Sequence, residues 1–119
     1  MDLTLPALQR SAQEMRIDII KMLHAAGSGH PGGSLSLIDI LTVLMTRYVK
    51  RTPENAEDPD RHRMVLSKGH GVPALYAVLA KLGVIPHEEL NTLRHVDSRL
   101  QGHPHNGSLF AAEASTGSL

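Results

Sequence analysis

The chain has 119 residues, and its 12 Lys and Arg residues balance its 12 Asp and Glu residues, so the formal net charge is zero with neutral histidine. That length suits one domain, and neutrality with few aromatic residues argues against general nucleic-acid or membrane-surface binding. Because cysteine is absent, disulfides, thiolate metal sites and cysteine nucleophiles are excluded. A cytoplasmic location is the simplest expectation, since the N-terminus also shows no signal-peptide pattern.

The first predicted element is an amphipathic helix over residues 6–26. Thr4 is expected to cap it, Pro6 suits its first turn, and Gly27 is a natural end. Its apolar residues recur at spacings of three and four and make one face, which consists of Leu8, Ala12, Met15, Ile19, Met22 and Ala26.

Residues 27–34 predict an irregular turn, because glycine, proline and serine fill most of its positions. A second helix is predicted to start near Ser36, with Asp39 in the first turn, where the positive end of the helix dipole favours a carboxylate. Apolar side chains surround this helix on almost every side. It is therefore expected to be buried on most sides or to pack against another subunit.

Residues 51–63 predict a charged, solvated loop, to which no function is assigned. Residues 64–67 form a short apolar run before a glycine turn and predict a buried strand. Residues 72–82 predict a helix that Gly83 ends.

A further short helix is predicted over residues 86–94, and little periodicity follows it. Residues 111–114 are the only other candidate strand. A parallel sheet needs several strands covered by helices. The pattern therefore predicts the opening part of an α/β domain, mostly helical in these residues and lacking most of its sheet.

Histidine lies beside glycine in three separate predicted turns. Glycine lets a ligand approach the backbone closely, and imidazole changes charge near neutral pH. This repeated pairing predicts one site that several loops assemble. The three turns read Gly29-His30-Pro31-Gly32-Gly33-Ser34, Ser67-Lys68-Gly69-His70-Gly71 and Gln101-Gly102-His103-Pro104.

The second of these turns joins a predicted strand to a predicted helix, which is a common ligand-binding position in α/β folds. A helix N-terminus there favours a phosphate group, and Lys68 and His70 are both able to donate to phosphate oxygens. The Gly-Lys-Ser/Thr ending of a P-loop is absent. The motif taken alone also fits a simple strand–helix connection.

His103 and His105 resemble a pair of metal ligands, but no third ligand follows at a recognisable spacing, and the chain has no His-Glu-x-x-His signature. The pair is interpreted as part of a polar loop, and a small metal-binding protein as an unfavoured alternative. The remaining histidines outside the glycine turns are interpreted as surface or packing residues, namely His24, His62, His87 and His95.

Taken together, four segments in this order and spacing resemble the N-terminal part of transketolase, and the resemblance covers essentially the whole chain. It is closest to the N-terminal subunit of transketolases that are built from two subunits. The segments are Gly29-His30-Pro31-Gly32-Gly33-Ser34-Leu35-Ser36, Ser67-Lys68-Gly69-His70, Gln101-Gly102-His103-Pro104 and Ser115-Thr116-Gly117-Ser118-Leu119.

The resemblance implies that residues 1–119 are an incomplete N-terminal portion of a thiamine diphosphate-binding domain. Members of this family transfer a two-carbon ketol unit between sugar phosphates. By the same resemblance, His70 contacts the cofactor diphosphate, and His30 and His103 bind substrate hydroxyls and assist proton transfer. The segment Gly117-Ser118-Leu119 lies against the aminopyrimidine of the cofactor.

The resemblance also implies a divalent metal, Mg²⁺ or Ca²⁺, held by a Gly-Asp-Gly motif and an Asn that this chain does not contain. The glutamate that activates the aminopyrimidine belongs to another domain. We therefore expect a truncated chain that is inactive alone. Its expected partner is the missing remainder or a C-terminal subunit, in a cytoplasmic homo- or hetero-oligomer such as a dimer, serving the pentose phosphate pathway.

One departure from the family pattern is His105, where an acidic residue is common. Two alternatives stay open beside the transketolase hypothesis. The first is another thiamine diphosphate enzyme such as 1-deoxyxylulose-5-phosphate synthase. The second is a non-catalytic interaction module, which the apolar second helix would serve as a contact surface.

Overall fold

The computed structural model describes residues 3–102, whose framework is three α-helices that all pack against one another. Helix α1 spans Leu5–Ala26, α2 spans Gly32–Val43, and α3 spans Val72–Lys81. Their facing sides share one hydrophobic core. The first and third helices confirm the sequence prediction closely.

Three shorter helical segments complete the framework. A π-helical turn continues α2, a 3-10 turn leads into α3, and a 3-10 helix follows α3. They span Leu44–Tyr48, Gly69–Gly71 and His87–Thr92, respectively. The last of these confirms a short helix within residues 86–94, although it is 3-10 rather than α-helical.

Helix α1 follows from its sequence. The predicted apolar face is buried from Leu8 to Met22. Thr4 holds the N-cap position, and its carbonyl oxygen accepts the Leu8 N–H at 2.9 Å. Gly27 ends the helix in the left-handed conformation, at φ 70°, and its N–H donates to the carbonyl oxygens of Leu23 and His24. Glycine adopts this φ without the steric cost that a side chain brings.

Helix α2 begins at Gly32, so the prediction of a start near Ser36 was wrong. Glycine disfavours helix by about 1 kcal/mol relative to alanine, yet distant contacts hold this first turn. Lys68 Nζ donates to the Gly33 carbonyl at 3.0 Å and to Ser36 Oγ at 3.1 Å. The Leu35 N–H also donates to the carbonyl of Pro31.

The earlier start moves Asp39 from the predicted first turn to the middle of α2. Its carboxylate cannot stabilise the helix N-terminus from there, because the dipole effect is confined to the terminal turns. Asp39 Oδ2 instead accepts from Arg16 Nη2 of α1 at 2.7 Å. This exposed ion pair links α1 to α2.

Helix α2 buries only part of its apolar surface within residues 3–102. Ile38 and Leu41 lie in the core, whereas Ile40 and Val43 are exposed. The expectation that this helix is buried on most sides does not hold for the described residues.

The charged loop over residues 51–63 is largely exposed, as predicted, but its first residue turns inward. Arg51 is 2% exposed, and its Nη2 donates to the His62 carbonyl at 2.7 Å. Its backbone N–H donates to the carbonyl of Met45. The loop therefore closes on the end of the π-helical turn.

The strand predicted over residues 64–67 is wrong for the part of the chain that the structure describes. These residues have no regular secondary structure, and residues 3–102 contain no strand. A strand is defined by pairing with a neighbour, and the described part of the chain offers none. The second candidate strand, 111–114, lies outside the described residues, so the parallel sheet of the α/β fold stays a prediction.

Helix α3 lies at the centre of the core. Every residue from Val72 to Leu79 is buried. Gly83 follows the helix at φ 79°, as its position in the sequence predicts. Within residues 3–102, no helix combines the length and the apolar character that crossing a bilayer requires.

Candidate functional site

The structure brings two of the predicted site histidines, His30 and His70, to one cavity of about 260 Å³. The cavity lies where the end of α1 and the starts of α2 and α3 meet. Its lining residues are Leu23, Ser28, Gly29, His30, His70, Pro73, Leu93, Arg94 and Gly102. The lining has three basic side chains and no acidic one, which favours an anionic ligand.

His30 reaches the cavity from the turn between α1 and α2. Gly29, immediately before it, has φ 112°, a conformation that residues with a side chain rarely adopt. A Cβ atom added at Gly29 would also lie 2.6 Å from Leu23 Cδ2. The turn therefore requires glycine at this position, and it leaves the His30 side chain exposed.

His70 reaches the cavity from the 3-10 turn Gly69–Gly71. The two flanking glycines are buried, while His70 is exposed. A Cβ atom at Gly71 would lie 3.0 Å from Leu37 Cδ2, so a side chain at this position would require Leu37 of α2 to shift. His70 lies two residues before the start of α3.

Lys68 makes contacts within the chain that its motif does not predict. Its ammonium group donates to the Gly33 carbonyl and to Ser36 Oγ. Ser36 Oγ in turn donates to the same carbonyl at 3.1 Å. Lys68 thus joins the His70 turn to the start of α2, and it is not among the residues that line the cavity.

The third predicted turn contributes Gly102 to the cavity lining. Tyr76 of α3 anchors this part of the chain, because its hydroxyl donates to the Gln101 carbonyl at 2.7 Å. Burial raises the pKa of Tyr76 above its ordinary value, which keeps the hydroxyl protonated as a donor. The next residue, His103, and the predicted cofactor contacts Gly117, Ser118 and Leu119 lie outside the described residues.

Arg94 is a cavity residue that the sequence motifs do not reveal. Its backbone has φ 66°, and its N–H donates to the carbonyl of buried Leu100 at 2.8 Å. This φ is uncommon for a residue with a side chain. No local motif marks Arg94, because the turn that contains it is closed by a residue six positions further along the chain.

The remaining described histidines do not line this cavity, and all of them are exposed, in agreement with their interpretation as surface residues. His62 Nδ1 is 2.9 Å from the Tyr48 carbonyl oxygen, and His87 Nε2 is 3.0 Å from Asp18 Oδ1. Within residues 3–102, no group of three or more His, Asp or Glu side chains is arranged to hold a metal ion. His105 and the His103–His105 pair fall outside that range.

Comparison with known proteins identifies the family. Residues 7–119 match the model of the transketolase thiamine diphosphate-binding domain. The chain is 42% identical to a transketolase of Pongo abelii over 97% of its own length and 18% of the relative. It is also 42% identical to the 6-deoxy-6-sulfo-D-fructose transketolase subunit SqwG of a Clostridium species, over 94% of this chain and 41% of that subunit.

A solved structure of transketolase from Leishmania mexicana superposes with a TM-score of 0.87 at 30% sequence identity. The match covers 94% of this chain and 17% of that protein. The chain thus spans less than a fifth of the full-length transketolases it matches and about two fifths of the separate subunit. It belongs to the transketolase family, within whose thiamine diphosphate-binding domain its residues 7–119 fall.

Proposed function

We propose that the chain is part of a transketolase that transfers a two-carbon ketol unit from a ketose phosphate to an aldose phosphate. The observation that carries the proposal is the meeting of His30 and His70, from two separate glycine turns, at one cavity. Family membership alone gives no roles to residues. The shared cavity gives both histidines access to the same ligand.

The cavity suits thiamine diphosphate as the cofactor. Its glycine-lined turns allow close approach of a ligand to the backbone, and its basic lining complements a diphosphate. When bound, thiamine diphosphate supplies the nucleophilic carbon and the electron sink that ketol transfer requires. The divalent metal, Mg²⁺ or Ca²⁺, would need ligands from outside residues 3–102, since those residues provide no metal site.

Each site residue has a proposed role. His70 donates a hydrogen bond to a diphosphate oxygen, whose negative charge strengthens that bond. His30 and His103 bind substrate hydroxyl groups and carry protons to and from the reacting oxygen atoms. Gly117, Ser118 and Leu119 contact the aminopyrimidine ring of the cofactor.

The proposed working unit is larger than this chain. Residues 1–119 form an incomplete N-terminal portion of the cofactor domain, which works with the rest of the protein or with a C-terminal subunit. We propose a cytoplasmic homo- or hetero-oligomer, and sugar phosphates as its substrates. The apolar surface that α2 leaves exposed is compatible with such an assembly.

The test compares the chain alone with the chain joined to its C-terminal portion. We expect no ketol transfer by the chain alone, and transfer in the joined form when thiamine diphosphate and magnesium are present. His70→Ala should abolish cofactor binding measured by calorimetry, whereas His24→Ala, at an exposed position on α1, should not. Full activity of the isolated chain would contradict the proposal.

The same experiment separates the alternatives. Consumption of pyruvate by the joined protein would identify a synthase of the 1-deoxyxylulose-5-phosphate type. Absence of thiamine diphosphate binding, even with the C-terminal portion present, would identify an interaction module.

A further inference from the structure

Arg94 holds a cationic group between two of the glycine turns. Its Nη1 atom lies 3.9 Å from the position that a Cβ atom would take at Gly29, and 3.6 Å from that position at Gly102. The guanidinium carbon is 3.5 Å from the same Gly102 position. The guanidinium group therefore lies beside both glycines, in the space that a side chain at either position would approach, at the wall of the cavity that His30 and His70 share.

The backbone at Arg94 is held in an uncommon conformation. The left-handed region is unfavourable for a residue with a side chain, and asparagine or glycine would occupy it more easily. The hydrogen bond to the Leu100 carbonyl fixes that conformation. Strain of this kind persists where the surrounding structure enforces it and is concentrated at ligand-binding sites.

The guanidinium group has no hydrogen-bond or ion-pair partner of its own among residues 3–102, in contrast to Arg16, Arg51 and Arg99, which donate to Asp39, the His62 carbonyl and Glu89. Its donors are therefore available to a ligand. A guanidinium fork matches the oxygen atoms of a phosphate.

From these observations we propose that Arg94 is a phosphate-binding residue of this cavity. The proposal rests on the transketolase assignment for the choice of ligands. Two of these ligands carry phosphate, namely the diphosphate of the cofactor and the terminal phosphate of the sugar. The shared chemistry is a phosphate oxygen accepting from the Arg94 guanidinium.

The test uses the joined, active protein with three variants. Arg94→Asn removes the cation but suits a left-handed backbone, so the variant is expected to fold. Arg94→Lys keeps the positive charge but lacks the paired N–H donors of the guanidinium group. Arg63→Asn makes the matched change at an exposed arginine that does not line the cavity. Thermal unfolding checks that each variant is folded.

The first arm measures binding without turnover. Calorimetric titration compares thiamine diphosphate with unphosphorylated thiamine, and inorganic diphosphate serves as a second probe. If Arg94 contacts the cofactor, Arg94→Asn should weaken both diphosphate ligands about tenfold or more, the range typical of a lost hydrogen bond to a charged group. Arg94→Lys should be intermediate, and thiamine binding should be unaltered.

The second arm compares a ketose phosphate with the same ketose lacking its phosphate. If Arg94 contacts the substrate, its loss should raise KM about tenfold or more for the phosphorylated ketose only. Equal effects on phosphorylated and unphosphorylated ligands in both arms, or no effect in either, would overturn the proposal. If the wild-type protein binds no thiamine diphosphate, the function proposed above fails. The inorganic diphosphate titration then still tests Arg94.

Discussion

Helices α2 and α3 are both strongly apolar in sequence, but they differ in how much of their apolar surface is buried. All residues of α3 from Val72 to Leu79 are buried, and Leu79 is 0% exposed. On α2 and its π-helical continuation, Ile38 is 0% exposed, whereas Ile40 is 58% and Tyr48 is 64% exposed. Apolar composition alone therefore does not fix burial, which depends on whether packed elements cover every side of a helix or leave one side exposed.

Helix α3 packs against α1, α2 and both flanking 3-10 segments. The outer side of α2 has no comparable cover within residues 3–102. Exposed apolar patches of this kind mark surfaces that contact other protein. The difference predicts that the buried side chains of α3 contribute to the free energy of unfolding of the chain alone. The outer side of α2 is predicted to contribute to stability only when another protein surface covers it.

The largest effect is expected from Leu79→Ala in α3. Removing a fully buried leucine side chain should lower the free energy of unfolding by about 2–5 kcal/mol, through lost apolar burial and the cavity left behind. Denaturant unfolding of the chain measures the change. The control is Leu44→Ala on the π-helical turn, where the side chain is 36% exposed. If Leu44→Ala lowered the free energy of unfolding as much as Leu79→Ala, the contrast between α3 and the outer side of α2 would be wrong.

A smaller loss is expected from Tyr76→Phe. The change removes the hydrogen bond to the Gln101 carbonyl and should cost about 1 kcal/mol. Burial raises the Tyr76 pKa above its ordinary value of 10.0, so above pH 10.0 the unfolded chain releases a proton that the folded chain retains. The wild-type chain should therefore lose stability as the pH rises past that value.

The Tyr76→Phe variant also serves as the control for this pH dependence. The variant lacks the ionisable group, so the difference in stability between the two proteins should shrink above pH 10.0. A difference that stays constant with pH would show that Tyr76 ionises equally in both states.

Still smaller is the expected effect of Ile40→Ser on the outer side of α2. The free energy of unfolding of the chain should change by less than about 0.5 kcal/mol, while binding of a hydrophobic dye should fall. Ile38→Ser, two positions away on the buried side, should destabilise the chain strongly. When the chain and the C-terminal portion are supplied as separate molecules, Ile40→Ser should weaken their association, which an affinity measurement between them detects.

The sequence predicted the helices whose signals are local. The three-and-four spacing of Leu8 to Met22 and the terminal glycines Gly27 and Gly83 determine α1 and α3 without reference to distant residues. The start of α2 was missed because Lys68, 35 positions away from Gly33, holds its first turn. The strand predicted over 64–67 also depends on distant residues, since a strand forms only when it pairs with another strand.

The candidate site divides in the same way. The glycine turns around His30 and His70 are local signals, and the structure brings both histidines to one cavity. Arg94 gives no such signal. Its position depends on a left-handed backbone that the Leu100 carbonyl holds, and a run such as Leu93-Arg94-His95 does not reveal that geometry.

The smallest effect is expected at the exposed ion pair between α1 and α3. A hydrogen bond from Lys81, together with its charge, lowers the pKa of Glu14 below 4.5. Stability from this pair is therefore present above pH 4.5 and is lost as the pH falls through the lowered value. Lys81→Met should return the Glu14 pKa toward 4.5 in an NMR titration, with little effect on unfolding because solvent screens exposed pairs. Lys21→Met, an exposed lysine on the same helix as Glu14, should leave the titration unaltered. An equal shift in both variants would show that overall charge, and not the contact between α1 and α3, sets the Glu14 pKa.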